Sequence, residues 1–219
     1  PPYMGSSGMN ARLSDYVKEV YPDSKSDLFA VFIERCAQMD KRGGYQAMIT
    51  QHAWMFLSSF EKLRNHIVDA QEISSLVHLG LGTFEDLNSK VVQSVAFVLR
   101  NNYTRGYTGI YDRLFETSGL YEDNAKKARW LCEGTHRYYA KQDNFSKIPG
   151  SPVAYWVSKA FIKTFDEKKI DNYGSTNNGF TTGDNNKFLR QWYEVSYSKI
   201  NFAASDIDDA CQSKAIWFP

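Results

Sequence analysis

Apolar residues along the first hundred positions repeat with two different periods. Leu13, Tyr16, Val17 and Val20 fall at i, i+3, i+4 and i+7, the spacing of one helical face. Pro22 with Asp23 and Ser24 ends that helix and prepares the next. Leu28, Phe32, Arg35, Cys36 and Met39 repeat at helical spacing, which predicts a second amphipathic helix with Ser24 or Ser26 as its N-cap. Gly43-Gly44 breaks the chain, and Tyr45 to Thr50 reads as a short buried strand. Trp54, Phe56, Leu57, Phe60, Leu63, Ile67 and Val68 then predict one long amphipathic helix. Ile73 to Leu79 reads as a strand, Gly80-Leu81-Gly82 as a turn, and Val91 to Leu99 as a β-branched strand. That order predicts an α/β sheet whose last two strands pair like a hairpin.

The pattern changes near Asn101. Residues 101–145 are polar, aromatic and partly helical, around Glu122 to Tyr139. Pro149-Gly150-Ser151-Pro152 marks a boundary, Val153 to Phe165 is apolar and helical in pattern, and residues 171–187, rich in Asn, Gly, Thr and Asp, read as a loop. Three regions follow: 1–100, 101–150 and 151–219.

Composition narrows the chemistry mainly by exclusion. With 219 residues, 42% hydrophobic and 23% charged, the chain has the make-up of a globular protein with one sizeable core. A net charge of +1 leaves no global basic field, so any nucleic-acid contact must come from a local patch. Lys126, Lys127, Arg129 and Arg137 form one candidate, although a solvated helix face is the simpler reading. Cys36, Cys132 and Cys211 are odd in number and far apart, which points to a reducing, cytoplasmic location without a disulfide framework. The four histidines lack ligand spacing, so no metal is expected, and no apolar run is long enough for a membrane span. The aromatic share of 15% supplies rings for a core or for stacking on bases.

The chain opens on Pro1-Pro2-Tyr3, followed by a small-residue loop from Gly5 to Gly8 and then Lys25-Ser26-Asp27-Leu28-Phe29-Ala30-Val31-Phe32-Ile33-Glu34-Arg35. Farther along stand Gly82-Thr83-Phe84 and Gly179-Phe180-Thr181-Thr182-Gly183-Asp184-Asn185-Asn186-Lys187-Phe188-Leu189-Arg190. In order and spacing these segments resemble the adenine-specific DNA methyltransferases of BREX phage-defence systems. The resemblance is strongest over 1–64, 91–99 and 149–192 and thin over 101–145. It implies an α/β fold: the C-terminal part of a Rossmann-like sheet that uses S-adenosylmethionine (1–100), a mostly helical connecting region (101–150), and the start of a DNA target-recognition region (151–219). In that fold the final strand is inserted antiparallel.

The chemistry such a motif serves is specific. Adenine's exocyclic amine is a poor nucleophile, because its lone pair is delocalised into the ring. The base must be flipped out and its amine hydrogens accepted so that the lone pair turns towards the methyl donor. By resemblance, Asn in an Asn-Pro-Pro-Tyr motif is one acceptor, the Pro1 carbonyl is the other, held by the stiff Pro1-Pro2 backbone, and Tyr3 stacks on the base. The resemblance also places Asp27 and Phe29 beside the cofactor, and Gly183, Asn185, Lys187 and Arg190 on double-stranded DNA. Each has a plainer reading: Asp27 as a helix N-terminal acid, Phe29 as core, Gly183, Asn185 and Lys187 as turn chemistry, Arg190 and Lys187 as phosphate clamps.

The family's glycine-rich cofactor loop and its ribose-binding acid precede the motif, and neither is in this chain. The opening inside a motif and the Ile216-Trp217-Phe218-Pro219 end predict an internal piece of a larger protein. Alone it is expected to be inactive, with an incomplete sheet prone to associate through strand edges. The resemblance further implies other BREX proteins as partners. A non-catalytic DNA-recognition or assembly module is the alternative.

Overall fold

The computed structural model describes residues 1–84, 92–116, 121–166, 189–204, 209 and 212. They fall in two compact units, Pro1–Lys168 and Lys169–Pro219. The first is the predicted α/β fold.

Helix α1, Ala11–Val20, begins where the Asn10 side chain accepts from Leu13 N at 2.9 Å. Helix α2, Leu28–Met39, is capped by Asp27 rather than by Ser24 or Ser26. Asp27 has extended backbone, and its carboxylate accepts from Phe29 N, while the Ser24 hydroxyl donates to Glu34 Oε2 at 2.6 Å instead. The buried side of α2 also differs from the predicted face. Phe29, Ala30 and Ile33 enter the main core, whereas Phe32 and Met39 are exposed. Apolar residues surround the first two turns of α2, so spacing alone could not choose between its faces. Val31 turns the other way, joining Val17 and Tyr21 in a small second cluster that docks α1.

The long helix predicted from Trp54 to Val68 is instead two 3-10 turns, His52–Met55 and Ser58–Phe60, followed by helix α3, Glu61–Ala70. The Arg64 side chain donates to the carbonyls of Trp54 and Leu57. Those carbonyls are thereby satisfied without a continuous helical ladder.

Five strands form one sheet: β1 Tyr45–Gln51, β2 Glu72–Gly80, β3 Ser94–Arg100, β4 Thr108–Arg113 and β5 Arg137–Lys141, in the order β1-β3-β2-β4-β5. Strand β3 is antiparallel to both of its neighbours, β1 and β2. The expected antiparallel pair therefore exists, and its second strand is the inserted one. The strand expected over Tyr45 to Thr50 is present as β1, but it lies at the sheet edge and is buried only at alternate positions. Because β1 and β2 both oppose β3, their carboxyl ends meet at one rim, with Gln51 and Gly80 on either side of Ser94. Strand β4 runs parallel to β2 and brings Arg113 level with His78 at the same rim.

Residues 101–150 depart from the helical expectation. They supply β4 and β5 to this sheet, with helix α4, Asn124–Glu133, between them. The short period-two runs that make these strands are masked in the sequence by polar and aromatic residues of similar size. The apolar stretch from Val153 is likewise extended at first, with helix α5 confined to Lys159–Lys163. Val153 N donates to Met55 O, and the Tyr155 ring stacks on Tyr111 at 5.0 Å, so this segment is held by tertiary contacts rather than by a helix. The bend before it uses Gly150 and Ser151 at positive φ.

One sheet face carries the core, including Ile73, Leu76, Val95, Phe97 and Leu99 under Phe29, Leu63 and Ile67. On the other face Ala47, Ile49, Val77, Ala96 and Val98 line a shallow depression of about 310 Å³. In the second unit, a 3-10 turn, Trp192–Glu194, starts at a capping box formed by Gln191 and Glu194, and another spans Tyr197–Lys199.

Candidate active site

The opening motif is fastened to the start of α2. Asp27 Oδ1 accepts from Met4 N at 3.0 Å and from Phe29 N at 3.3 Å. Leu28 N donates to Met4 O at 3.0 Å, and Ser6 N to Ser26 O at 3.0 Å. One carboxylate oxygen thus caps a helix and pins the residue after Tyr3. Pro1 and Pro2 are exposed. The Tyr3 ring, 38% exposed, stands edge-on to Phe29 at 6.1 Å. Burial of part of that ring raises its phenol pKa. Phe29 has no exposed surface and is itself backed by Phe60 at 5.6 Å. Tyr3 is therefore a half-open ring on a rigid aromatic floor.

Across the same rim lies a second assembly. His52, directly after β1, donates its backbone N–H to Gln93 O, and its Nδ1 lies 2.9 Å from His78 Nε2 near the end of β2. His78 Nδ1 lies 3.2 Å from the Tyr155 hydroxyl. Burial holds the Tyr155 phenol well above its ordinary pKa, so it stays protonated. A neutral imidazole has one donor and one acceptor nitrogen, so the two contacts of His78 run in a single direction along this chain and its tautomer is coupled to that of His52. Phe56, Phe115 and Trp156 close around the pair. Among the described residues no cluster of His, Cys, Asp or Glu is arranged to hold a metal ion.

Burial, then the neighbouring His52 and Arg113, lowers the His78 pKa from 6.5 to about 3. The unfolded chain binds a proton that the folded chain refuses. The stability from this group is therefore complete above pH 6.5 and is lost as pH falls from there towards 3. Below about pH 6 the unfolding free energy should fall by up to ~1.4 kcal/mol per pH unit from His78 alone. Denaturant titrations at several pH values should show this slope flatten in His78→Gln, and an unaltered slope would contradict the assignment.

The sequence-predicted residues are distributed unevenly. Pro1, Pro2, Tyr3, Asp27 and Phe29 come together as described. Gly183, Asn185 and Lys187 lie outside the described residues. Arg190 is exposed in the second unit, where its Nη1 donates to Leu189 O at 2.7 Å. The basic stretch at 126–137 is largely committed: Lys126 to Glu122 and Glu116, Arg137 to Asp112, and buried Lys127 to the Leu81 carbonyl. Sequence reasoning passed over His52, His78, Arg113 and Tyr155. The signal available was that His52 and His78 each stand at the carboxyl end of a predicted strand, where open α/β sheets bind ligands.

For an S-adenosyl cofactor the predicted pair fits only in part. Asp27 Oδ2 makes no hydrogen bond among the described residues and is open to a polar group. Phe29, fully covered, serves as the layer beneath Tyr3.

Comparison with known proteins matches residues 1–84 to the Eco57I restriction-modification methylase family. The whole chain is 40% identical to the adenine-specific methyltransferase PglX of Lacticaseibacillus casei (strain Zhang), over 18% of that protein's length. It is 36% identical to the adenine-specific methyltransferase BrxX of Escherichia coli O9:H4 (strain HS), over 17% of its length. The similarity read from the motifs thus extends along all of the chain, which spans less than a fifth of the curated relatives it matches. Among solved structures, the methyltransferase subunit of a type I restriction-modification system from Streptococcus thermophilus aligns with 62% of the chain and 33% of its own, at 10% identity and TM-score 0.44. Among the described residues no helix is long and apolar enough to cross a membrane.

Proposed function

We propose that this chain carries the target-base side of an adenine-N6 DNA methyltransferase, together with the start of its DNA-recognition region. The observation that carries the reading is the Pro1-Pro2-Tyr3 motif, held by Asp27 and packed edge-on against Phe29, in a chain similar from end to end to PglX and BrxX. The Pro1 carbonyl accepts one amine hydrogen of a flipped adenine, and the Tyr3 ring lies against its face. S-adenosylmethionine supplies the electrophilic methyl group. Asp27 fixes the motif's backbone, so the acceptor does not reorganise as the amine attacks and releases a proton.

Double-stranded DNA is the substrate, with Gly183, Asn185, Lys187 and Arg190 on its backbone side, and the protein works in the cytoplasm with other BREX components. This places it in host-DNA marking and phage exclusion. The test is N6-methyladenine mapping, by long-read sequencing, in cells expressing the complete gene product with its neighbouring defence genes. Methylation at one recurring DNA site is expected. Unmethylated DNA, with the protein folded and present, would remove the reading.

A further inference from the structure

The rim that holds Tyr3 also holds a cation that forms no ion pair among the described residues. Arg113 ends β4, level with His78 on β2. Its guanidinium lies 4.7 Å from the Phe115 ring centre and 5.7 Å from that of Trp156. The carboxylates flanking it in the chain are engaged elsewhere: Asp112 with Arg137 at 2.8 Å, and Glu116 with Lys126 at 3.4 Å. Its Nε is buried without a hydrogen-bond partner, and no ion pair involves Arg113 among the described residues. The groups packed around it are uncharged rings, including the neutral His78.

A buried donor and an unbalanced cation are both costly unless a ligand completes them. Arginine's planar fork suits an oxyanion that accepts two parallel hydrogen bonds, and its cation–π contacts with Phe115 and Trp156 hold the guanidinium at this rim. Trp156, 40% exposed, leaves one side of the assembly open to solvent. We propose that Arg113, held against Phe115 and Trp156, is a positioning residue that seats a backbone phosphate of the DNA strand presented to the Tyr3 motif. The inference rests on the methyltransferase reading, because that reading brings a phosphodiester chain to this rim. Arg113 fixes the strand's register and reads no base.

The experiment compares duplex DNA binding by the complete gene product and by Arg113→Gln, using fluorescence anisotropy across a range of salt concentrations. Loss of one phosphate contact should weaken binding about tenfold at low salt for any sequence. It should also make the slope of log affinity against log salt shallower by about 0.9, which a general loss of packing would not reproduce. Unchanged affinity and slope in a folded variant overturn the seat. On the unaltered protein, phenylglyoxal labelling read by mass spectrometry should modify Arg113 in free protein and spare it in the DNA complex. This keeps the test decisive if Arg113→Gln fails to fold. Bound DNA with Arg113 still labelled removes the seat and leaves the methyltransferase reading standing. If the unaltered protein binds no DNA at all, both fall.

Discussion

Replacing Arg64 with methionine should destabilise the first unit by about 3–5 kcal/mol, because one buried and two part-buried backbone carbonyls lose their donor at once. Arg64 is 1% exposed, and its fork reaches the carbonyls of Trp54, Leu57 and Gly150. Methionine fills the volume of the stem, so the loss reads the polar contacts rather than a cavity. Lysine should recover only part, since a single ammonium cannot match donors fixed in a fork. Small domains have about 5–15 kcal/mol in total, so the change consumes much of the margin. The effect should also reach the rim. Arg64 ties the turn after His52 to the bend before Tyr155, and both residues belong to the histidine assembly. Urea unfolding measures it: the midpoint should fall with an unaltered slope. A loss under about 1 kcal/mol would mean that the loops relax to satisfy their carbonyls alone.

Arg64 also shows why part of this structure was hidden in the sequence. Periodicity located helices near 11–20 and 28–39 and three strands of the sheet, although in α2 it marked a face other than the one that packs. It merged His52–Phe60 into α3, since Trp54, Phe56, Leu57 and Phe60 continue a helical spacing. What breaks the helix there is a side chain ten residues on, donating to Trp54 O, and no local window contains it. Buried Gln142 acts similarly. It donates to Val68 O and Gln71 O and accepts from Ile73 N, joining the end of α3 and the start of β2 to a segment about seventy residues away. The candidate site divides along the same line. Pro1, Pro2 and Tyr3 were legible because a contiguous motif carries them. The histidine pair and Arg113 come from three strand ends that only the β1-β3-β2-β4 order brings together.

Tyr3→Ala should lower methylation by the complete gene product about 5- to 150-fold in kcat/KM, the equivalent of ~1–3 kcal/mol of base stacking. The ring is open on one side and stands on Phe29 with its edge, so its loss removes a surface for the substrate and little of the core. Tyr3→Phe keeps that surface and gives up only the hydroxyl, so it should stay within a few-fold of the unaltered protein. Thermal stability should change by no more than about 1 kcal/mol in either variant, since the motif backbone is held by Asp27 and not by the ring. A fluorescent base separates stacking from packing. With 2-aminopurine at the target position, the unaltered protein should flip the base and quench it against Tyr3, and the alanine variant should leave it brighter. Undiminished methylation by Tyr3→Ala would take the ring out of the mechanism. Loss of activity in both Tyr3→Ala and Tyr3→Phe would shift the essential contact from the ring face to the phenol.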